Sequence, residues 1–246
     1  PPSSGGIVLM QVLSVLEGYD LVSLGHNSSA LFHLYAEAFQ HAFADRANHL
    51  GDPDRISIPQ QRLLSPERVL EIRKSFDIDK TLEASSYGTA IDIGNDEGTQ
   101  HISIIDENGL AVSLTTTINT YFGSKVVAEK SGIVLNNEMD DFVAQPGVPN
   151  AYGLIGSEAN SVAPGAVPLS SMSPTILQSP DGTTISIGAS GGPFIISSTV
   201  QAIINLIDFG LSPAEAVSRP RMHHQWAPRT LFVDTGIPVD VIHSLE

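Results

Sequence analysis

The residues of this chain that could do chemistry gather at a few short stretches. In Gly98-Thr99-Gln100-His101 a threonine stands where a Ser, Gly, Asp and Asn-rich stretch gives way to β-branched residues. A hydroxyl is a poor nucleophile near neutral pH and needs a base. A threonine made N-terminal by peptide cleavage carries its own base, an α-amine with a pKa of about 7.7–8.0. Gly98 leaves the scissile carbonyl without a neighbouring Cβ. Taken singly the signal is weak, because a threonine opening a strand is ordinary β-propensity.

Further along, Thr115-Thr116-Thr117-Ile118-Asn119 closes a second strand. Alternate side chains point one way there, so Thr117 and Asn119 can come beside the start of the preceding strand, or the run is simply a Thr-rich exposed edge. The carboxylates of Asn136-Asn137-Glu138-Met139-Asp140-Asp141-Phe142 suit a substrate ammonium or a metal, and equally an acidic solvated turn. Ser170-Ser171-Met172-Ser173-Pro174 offers hydroxyls and amides to a carboxylate, with a local serine turn as the other reading.

Gly188-Ala189-Ser190-Gly191-Gly192-Pro193 is a glycine turn at a helix N-terminus, where unpaired amides favour an anion, including the oxyanion of acyl transfer. The Gly-x-x-x-x-Gly-Lys-Ser/Thr phosphate loop is missing. His33, Glu37 and His41 share one helix face but lack the His-Glu-x-x-His order, and the neighbours His223 and His224 point to opposite faces of a strand. Both histidine groups read as structural, and no metal or cofactor is expected.

The elements that must position these residues follow from periodicity and caps. Ile7, Met10, Val12, Leu13 and Leu16 recur at helical spacing, and Gly18 closes the run. The stretch from about residue 28 to 50 predicts a long buried helix ended by Gly51-Asp52-Pro53, and Ser65-Pro66-Glu67 starts a third helix running to about Phe76. Ser85 to Gly98 reads as an exposed connection. His101 to Asp106 and Ala111 to Thr117 flank Glu107-Asn108-Gly109 as a β-hairpin. Asn136 to Pro168 is a long irregular loop system. Strands return at Thr175–Leu177 and Thr184–Gly188, Gly191-Gly192-Pro193 opens an apolar helix reaching Phe209, Ser212-Pro213 starts a short one, and Leu231–Val233 is a last strand.

The chain has 246 residues, 41% of them hydrophobic, enough for one sizeable domain or two small ones. Its formal charge of -15, from 27 acidic and 12 basic residues, repels phosphate backbones, so nucleic acid is not an expected partner. The absence of cysteine excludes disulfides and a thiolate nucleophile. No apolar run reaches the roughly eighteen residues of a membrane span. The opening Pro-Pro-Ser-Ser without Met reads as the start of a segment cut from something longer, with any targeting sequence upstream. Asn27-Ser28-Ser29 is a sequon compatible with secretion.

Taken in order, several segments together resemble the γ-glutamyltranspeptidase family across nearly the whole chain: Pro1-Pro2-Ser3-Ser4-Gly5-Gly6, the run from Glu37 to Arg46, Gly51-Asp52-Pro53 and Thr99-Gln100-His101-Ile102-Ser103. The likeness continues through Thr117 to Ser124, Asn136 to Phe142, Pro168 to Thr175 and Gly191-Gly192-Pro193. It implies an α+β fold, part of the αββα four-layer sandwich of N-terminal-nucleophile hydrolases. It also implies autocleavage before Thr99, which makes residues 1–98 the end of a large subunit and 99–246 most of a small, catalytic one.

The resemblance assigns Thr99 as nucleophile, Thr117 as its activator and the amides of Gly191 and Gly192 as the oxyanion hole. Asn119, Glu138 and Asp141 would hold the α-amino end of a γ-glutamyl substrate, Ser170 and Ser171 its α-carboxylate, and Tyr152 matches a lid-loop aromatic of some members. The partners implied are glutathione or other γ-glutamyl compounds, amino-acid or peptide acceptors, and the remaining large-subunit segment of the precursor. The setting implied is secretory, cell-surface or periplasmic. The competing readings are a related acylase acting on glutaryl or other β-lactam side-chain amides, and a catalytically silent homologue.

Overall fold

The computed structural model describes residues 4–83, 86–87 and 98–246. The expected exposed connection therefore lies outside the described residues except at Ser86, Tyr87 and Gly98. Helix α1 (Gly5–Leu16), α2 (Leu21–Leu24), α3 (Ser29–His49), α4 (Gln60–Leu63) and α5 (Pro66–Ser75) come first. Strands β1 (Thr99–Ile105) and β2 (Ala111–Thr117) follow, then β3 (Thr175–Gln178) and β4 (Thr184–Ile187). Helices α6 (Phe194–Ile207) and α7 (Pro213–Ser218), strands β5 (Met222–His223) and β6 (Phe232–Val233), and α8 (Val239–His243) complete the order.

The long helices start where their caps direct. The Ser28 hydroxyl accepts from the Leu31 amide and Ser65 from Arg68, each at 3.1 Å, and Ser212 with Glu215 forms a reciprocal capping box on α7. Helix α3 is buried on nearly every face from Leu31 to Ala47. Phe32, Phe39 and Phe43 are among the largest fully buried side chains, and truncating one such ring costs about 3–5 kcal/mol. Burial all round forces the polar residues of α3 to find partners. Asp45 takes both prongs of Arg68 at 3.0 Å and Gln11 of α1 at 2.7 Å, tying α1, α3 and α5 together.

The histidine-bearing face of α3 goes to separate partners. His33 meets the Asp77 carbonyl at 2.8 Å and His41 the Ser75 hydroxyl at 2.9 Å, while fully buried Glu37 accepts from Thr81 at 2.5 Å and Tyr87 at 2.6 Å. Likewise His223 contacts Ser197 and Gln225, whereas His224 accepts from the Trp226 amide. Burial lowers the pKa of both, to about 4 and about 3.

Antiparallel β1 and β2 pair from Thr99 opposite Thr117 to Ile105 opposite Ala111. The first strand starts two residues before its expected position, because Thr99 and Gln100 complete the ladder against Thr117 and Thr116. The Asp106 carboxylate closes the turn by accepting from Asn108 and Leu110 amides at 2.9 and 2.8 Å. Period-2 alternation sorts the hairpin into a polar face, with Thr99, His101, Thr115 and Thr117, and an apolar one, with Ile102, Ile104, Val112 and Leu114. The polar face turns inward: Ser113 donates to the Ile187 carbonyl of β4 at 3.0 Å, and the imidazole of His101 lies against Gly188. The apolar face is 43–55% exposed.

The irregular stretch expected from Asn136 to Pro168 contains two short 3-10 turns, Glu138–Asp141 and Glu158–Asn160, and is stitched by a bridge between Val143 and Ser161. Among the described residues no helix is long and apolar enough to cross a membrane.

Candidate active site

A cleft at the start of β1 is lined by Thr99, Thr117, Asn119, Asp141, Tyr152, Ser170, Ser171, Met172, Gly192 and Ile195. It draws on segments nearly a hundred residues apart and contains most of the residues singled out from the sequence. Gly191 adjoins it in the chain, and Glu138 joins it by a hydrogen bond between its carboxyl and that of Asp141.

Thr99 Oγ1 lies 3.0 Å from Thr117 Oγ1. Thr117 Oγ1 donates its single proton to the Gly98 carbonyl at 3.2 Å and accepts from the Asn119 amide at 2.8 Å. It must therefore accept from Thr99 as well, which orients the Thr99 hydroxyl. The Gly98 carbonyl receives a second donor, the Ile118 amide, at 3.2 Å. A Cβ on residue 98 would come within 2.1 Å of the Asn119 carbonyl oxygen, so this close approach requires glycine.

Asn119 is 3% exposed, and its backbone adopts φ +74°, an uncommon conformation for a residue with a side chain. Its Nδ2 donates to the Asn137 carbonyl at 3.1 Å, and its Oδ1 accepts from the Tyr152 hydroxyl. Tyr152 is 4% exposed, and its carbonyl accepts from Gln225 at 3.0 Å, so the aromatic expected on a lid loop is packed into the wall of the cleft.

The acidic stretch resolves into separate jobs. Asp140 turns away and accepts from the Ala151 amide at 3.0 Å. Asp141 and Glu138 are left as a carboxyl pair at the cleft. Burial and, next, the Glu138 charge raise the Asp141 pKa far above the usual carboxylate range, while Arg46 opposes the shift. Such a pair is short of positive charge and suits an ammonium group. Among the described residues no group of three or more His, Asp or Glu side chains is placed to hold a metal ion.

Opposite, the Ser170 carbonyl is held by the amide and the hydroxyl of Ser4, each at 2.7 Å. Ser170 Oγ accepts from the Met172 amide at 3.1 Å, and Ser171 Oγ accepts from Arg46 at 3.4 Å, so each hydroxyl proton can be directed to a carboxylate. Gly191 and Gly192 have φ +112° and +54° and lead through Pro193 into α6, whose first amides, those of Phe194 and Ile195, turn back onto the Gly191 and Gly192 carbonyls at 3.0 and 3.1 Å.

Sequence reasoning gave no role to Ser4, Arg46 or the contact of His101 with Gly188. The one available signal was Arg46 itself, a charged residue within the apolar run of a helix read as buried.

A family model for Gamma-glutamyltranspeptidase matches residues 1–246. The glutathione hydrolase proenzyme of Escherichia coli (strain K12) is 45% identical over 248 residues, covering 100% of this chain and 43% of the relative. The chain thus spans less than half the length of that curated relative. A solved structure of a Helicobacter pylori γ-glutamyltranspeptidase threonine-to-alanine mutant is 46% identical with a TM-score of 0.57, over 59% of this chain and 78% of that one. Cephalosporin acylase from Bacillus halodurans, at 24% identity, aligns over 100% of this chain and 41% of its own with a TM-score of 0.78. The fold is therefore α+β of the N-terminal-nucleophile hydrolase type, of which these residues supply part.

Proposed function

The chain belongs to the γ-glutamyltranspeptidase family, and from that premise we propose that it carries the nucleophile and much of the donor site of a self-cleaving γ-glutamyl-transferring enzyme. In the cleavage step Thr99 Oγ attacks the Gly98 carbonyl carbon, the Thr99 nitrogen leaves with a proton, and water hydrolyses the resulting ester. This frees the Thr99 α-amine and divides the chain into 1–98, from the large subunit, and 99–246, from the small one. In turnover the amine takes the Thr99 hydroxyl proton while the oxygen attacks the γ-carbonyl of glutathione or a related amide. The leaving amine departs protonated, and water or an amino acid or peptide amine then accepts the γ-glutamyl group from the ester.

The observation that carries this reading is the 3.0 Å contact of Thr99 with Thr117 beside a scissile carbonyl that already receives two donors. Around it the cleft supplies opposite chemistries for the two ends of the donor. Asn119, Glu138 and Asp141 lie on the ammonium side, Ser170 and Ser171 on the carboxylate side, and the Gly191 and Gly192 amides serve the oxyanion. Tyr152 holds Asn119 in place. The exposed apolar face of the β1–β2 hairpin supports a further partner, the remaining segment of the precursor, as its cover. A secretory, cell-surface or periplasmic setting goes with the same reading.

The test is intact mass of the full-length gene product and its Thr99→Ala variant, together with release of p-nitroaniline from a γ-glutamyl anilide. Splitting between Gly98 and Thr99 with product release in the wild type only is the expected result. An unsplit, inactive wild type would leave a silent homologue. The acylase of the same fold is the second reading, favoured by the B. halodurans likeness in fold alone. It predicts that glutaryl anilide, which lacks the α-ammonium, is the better substrate, whereas the Glu138–Asp141 pair favours the γ-glutamyl donor.

A further inference from the structure

Helix α3 carries a cation into the interior. Arg46 is 5% exposed, and its two kinds of nitrogen are spent on the serine side of the cleft. Nε donates to Ser4 Oγ at 2.8 Å, and Nη2 donates to the Leu169 carbonyl at 3.3 Å and Ser171 Oγ at 3.4 Å. Ser4 passes the connection on to the Ser170 carbonyl. On its other side the guanidinium lines a small cavity together with Asp141 and stabilises the ionised form of that carboxyl.

Burying a cation is costly unless charge and hydrogen bonds compensate it. The neighbouring acid on α3 does not do so directly, because the Asp45 carboxylate is occupied by Arg68 and Gln11. The Arg46 guanidinium instead meets the Ser4 and Ser171 hydroxyls and the Leu169 carbonyl, and lines one small cavity with Asp141. Burial lowers its pKa to about 10, so it keeps its charge at neutral pH.

Resting on the reading of the cleft given above, we propose that Arg46 is a positioning residue for the γ-glutamyl donor. One guanidinium fixes the Ser171 hydroxyl that meets the α-carboxylate and sits by the same small cavity as Asp141, favouring the charged carboxylate that meets the α-ammonium. The residue lies before the cleavage point and both of its clients lie after it, so it sets the donor site across the divided chain. It touches neither Thr99 nor Thr117, and its loss weakens capture of the donor more than the chemistry on a bound one.

The groups acting on Asp141 are Glu138 and Asp140 from its own turn and Arg46 from α3, with the Thr99 amine across the cleft after splitting. The test uses the full-length gene product, Arg46→Gln and Arg46→Lys, with γ-glutamyl p-nitroanilide as donor, followed from about pH 5 to about pH 9. In Arg46→Gln the KM rises about tenfold, kcat stays within about threefold, and the acid limb of kcat/KM moves to higher pH, because Asp141 loses the one charge that opposes its protonation. Arg46→Lys retains the charge without the fork, so its KM rises while its limb stays near the wild-type position. The Thr99 amine titrates in all three proteins, so differences among them report Asp141.

Wild-type KM and limb in Arg46→Gln would overturn the inference, as would a loss of kcat matching that of kcat/KM with no movement of the limb. Should Arg46→Gln fail to fold or split, Arg46→Lys decides: a raised KM at unchanged kcat supports the role, and an unchanged KM removes it. A wild type inactive on the donor takes the inference down together with the reading it rests on.

Discussion

Thr99 and Thr117 face each other across the first pair of the β1–β2 ladder, hydroxyl to hydroxyl at 3.0 Å. The contact is set by strand register: a slip of one residue would send one of the two side chains to the opposite face of the hairpin. The same register brings Thr117 and Ile118 onto the Gly98 carbonyl, so the bond proposed to break and the hydroxyl proposed to attack it are placed by one local structure.

Thr117→Ala removes the acceptor that orients Thr99 and one of the two donors on the Gly98 carbonyl. Loss of such a donor from a developing oxyanion typically costs about 10²–10³ in rate. Self-cleavage of Thr117→Ala should slow by at least about a hundredfold on that basis, while Thr117→Ser, which keeps the hydroxyl, should split within about tenfold of wild type. Time-resolved intact mass checks this, and an alanine variant that splits at the wild-type rate rules out the role.

Two adjacent glycines at the start of α1 make a matched pair. A Cβ on Gly5 would lie 2.5 Å from the Met172 carbonyl oxygen and 2.7 Å from Ser173 Cβ, whereas one on Gly6 meets nothing within 4 Å. Gly5→Ala should push the Ser170–Ser171 loop away and raise the donor KM about tenfold. Gly6→Ala should leave KM alone and stabilise the helix by up to about 1 kcal/mol. Equal KM values in the two variants would show that the loop does not depend on α1.

Much of this was legible from local sequence. Ser28, Ser65 and Ser212 announce helices, and the helix-opening glycines and the break in composition before Thr99 mark the right places, because caps and composition act over a few residues. The short elements α2, α4 and α8 lack the length for periodicity to show. Contacts such as Ser4 to Ser170, 166 residues apart, leave no local trace. Alternation in the hairpin was visible, but not which face turns inward. Hydrophobicity alone would bury Ile102 and Leu114, yet the polar face meets the rest of this chain and the apolar face stays exposed.

The bond from Tyr152 to Asn119 yields a prediction about binding rather than chemistry. Tyr152→Phe keeps the buried ring and removes only the hydroxyl, leaving Asn119 Oδ1 without that donor. A buried acceptor stranded in this way costs about 1–3 kcal/mol, so the donor KM should rise about fivefold or more with kcat little changed. Steady-state kinetics on the γ-glutamyl anilide check it, and an unchanged KM would mean that Asn119 is held by Asn137 alone.

The carboxyl pair predicts how the pH profile differs between substrates. Burial, and then Glu138, raise the Asp141 pKa, so in the unliganded cleft this carboxyl gains its charge only as pH climbs well past the ordinary carboxylate range. A donor bearing an α-ammonium needs that charge, so its kcat/KM should rise through two ionisations, those of the carboxyl pair and of the Thr99 amine. Glutaryl anilide has no ammonium and should follow the amine alone, at a pKa of about 7.7–8.0. Asp141→Asn should therefore lower kcat/KM for the γ-glutamyl donor by about a hundredfold, a loss of about 2.7 kcal/mol, while sparing the slower glutaryl substrate. Parallel pH profiles for the two anilides, together with equal losses in Asp141→Asn, would place the ammonium site elsewhere than on the Glu138–Asp141 turn.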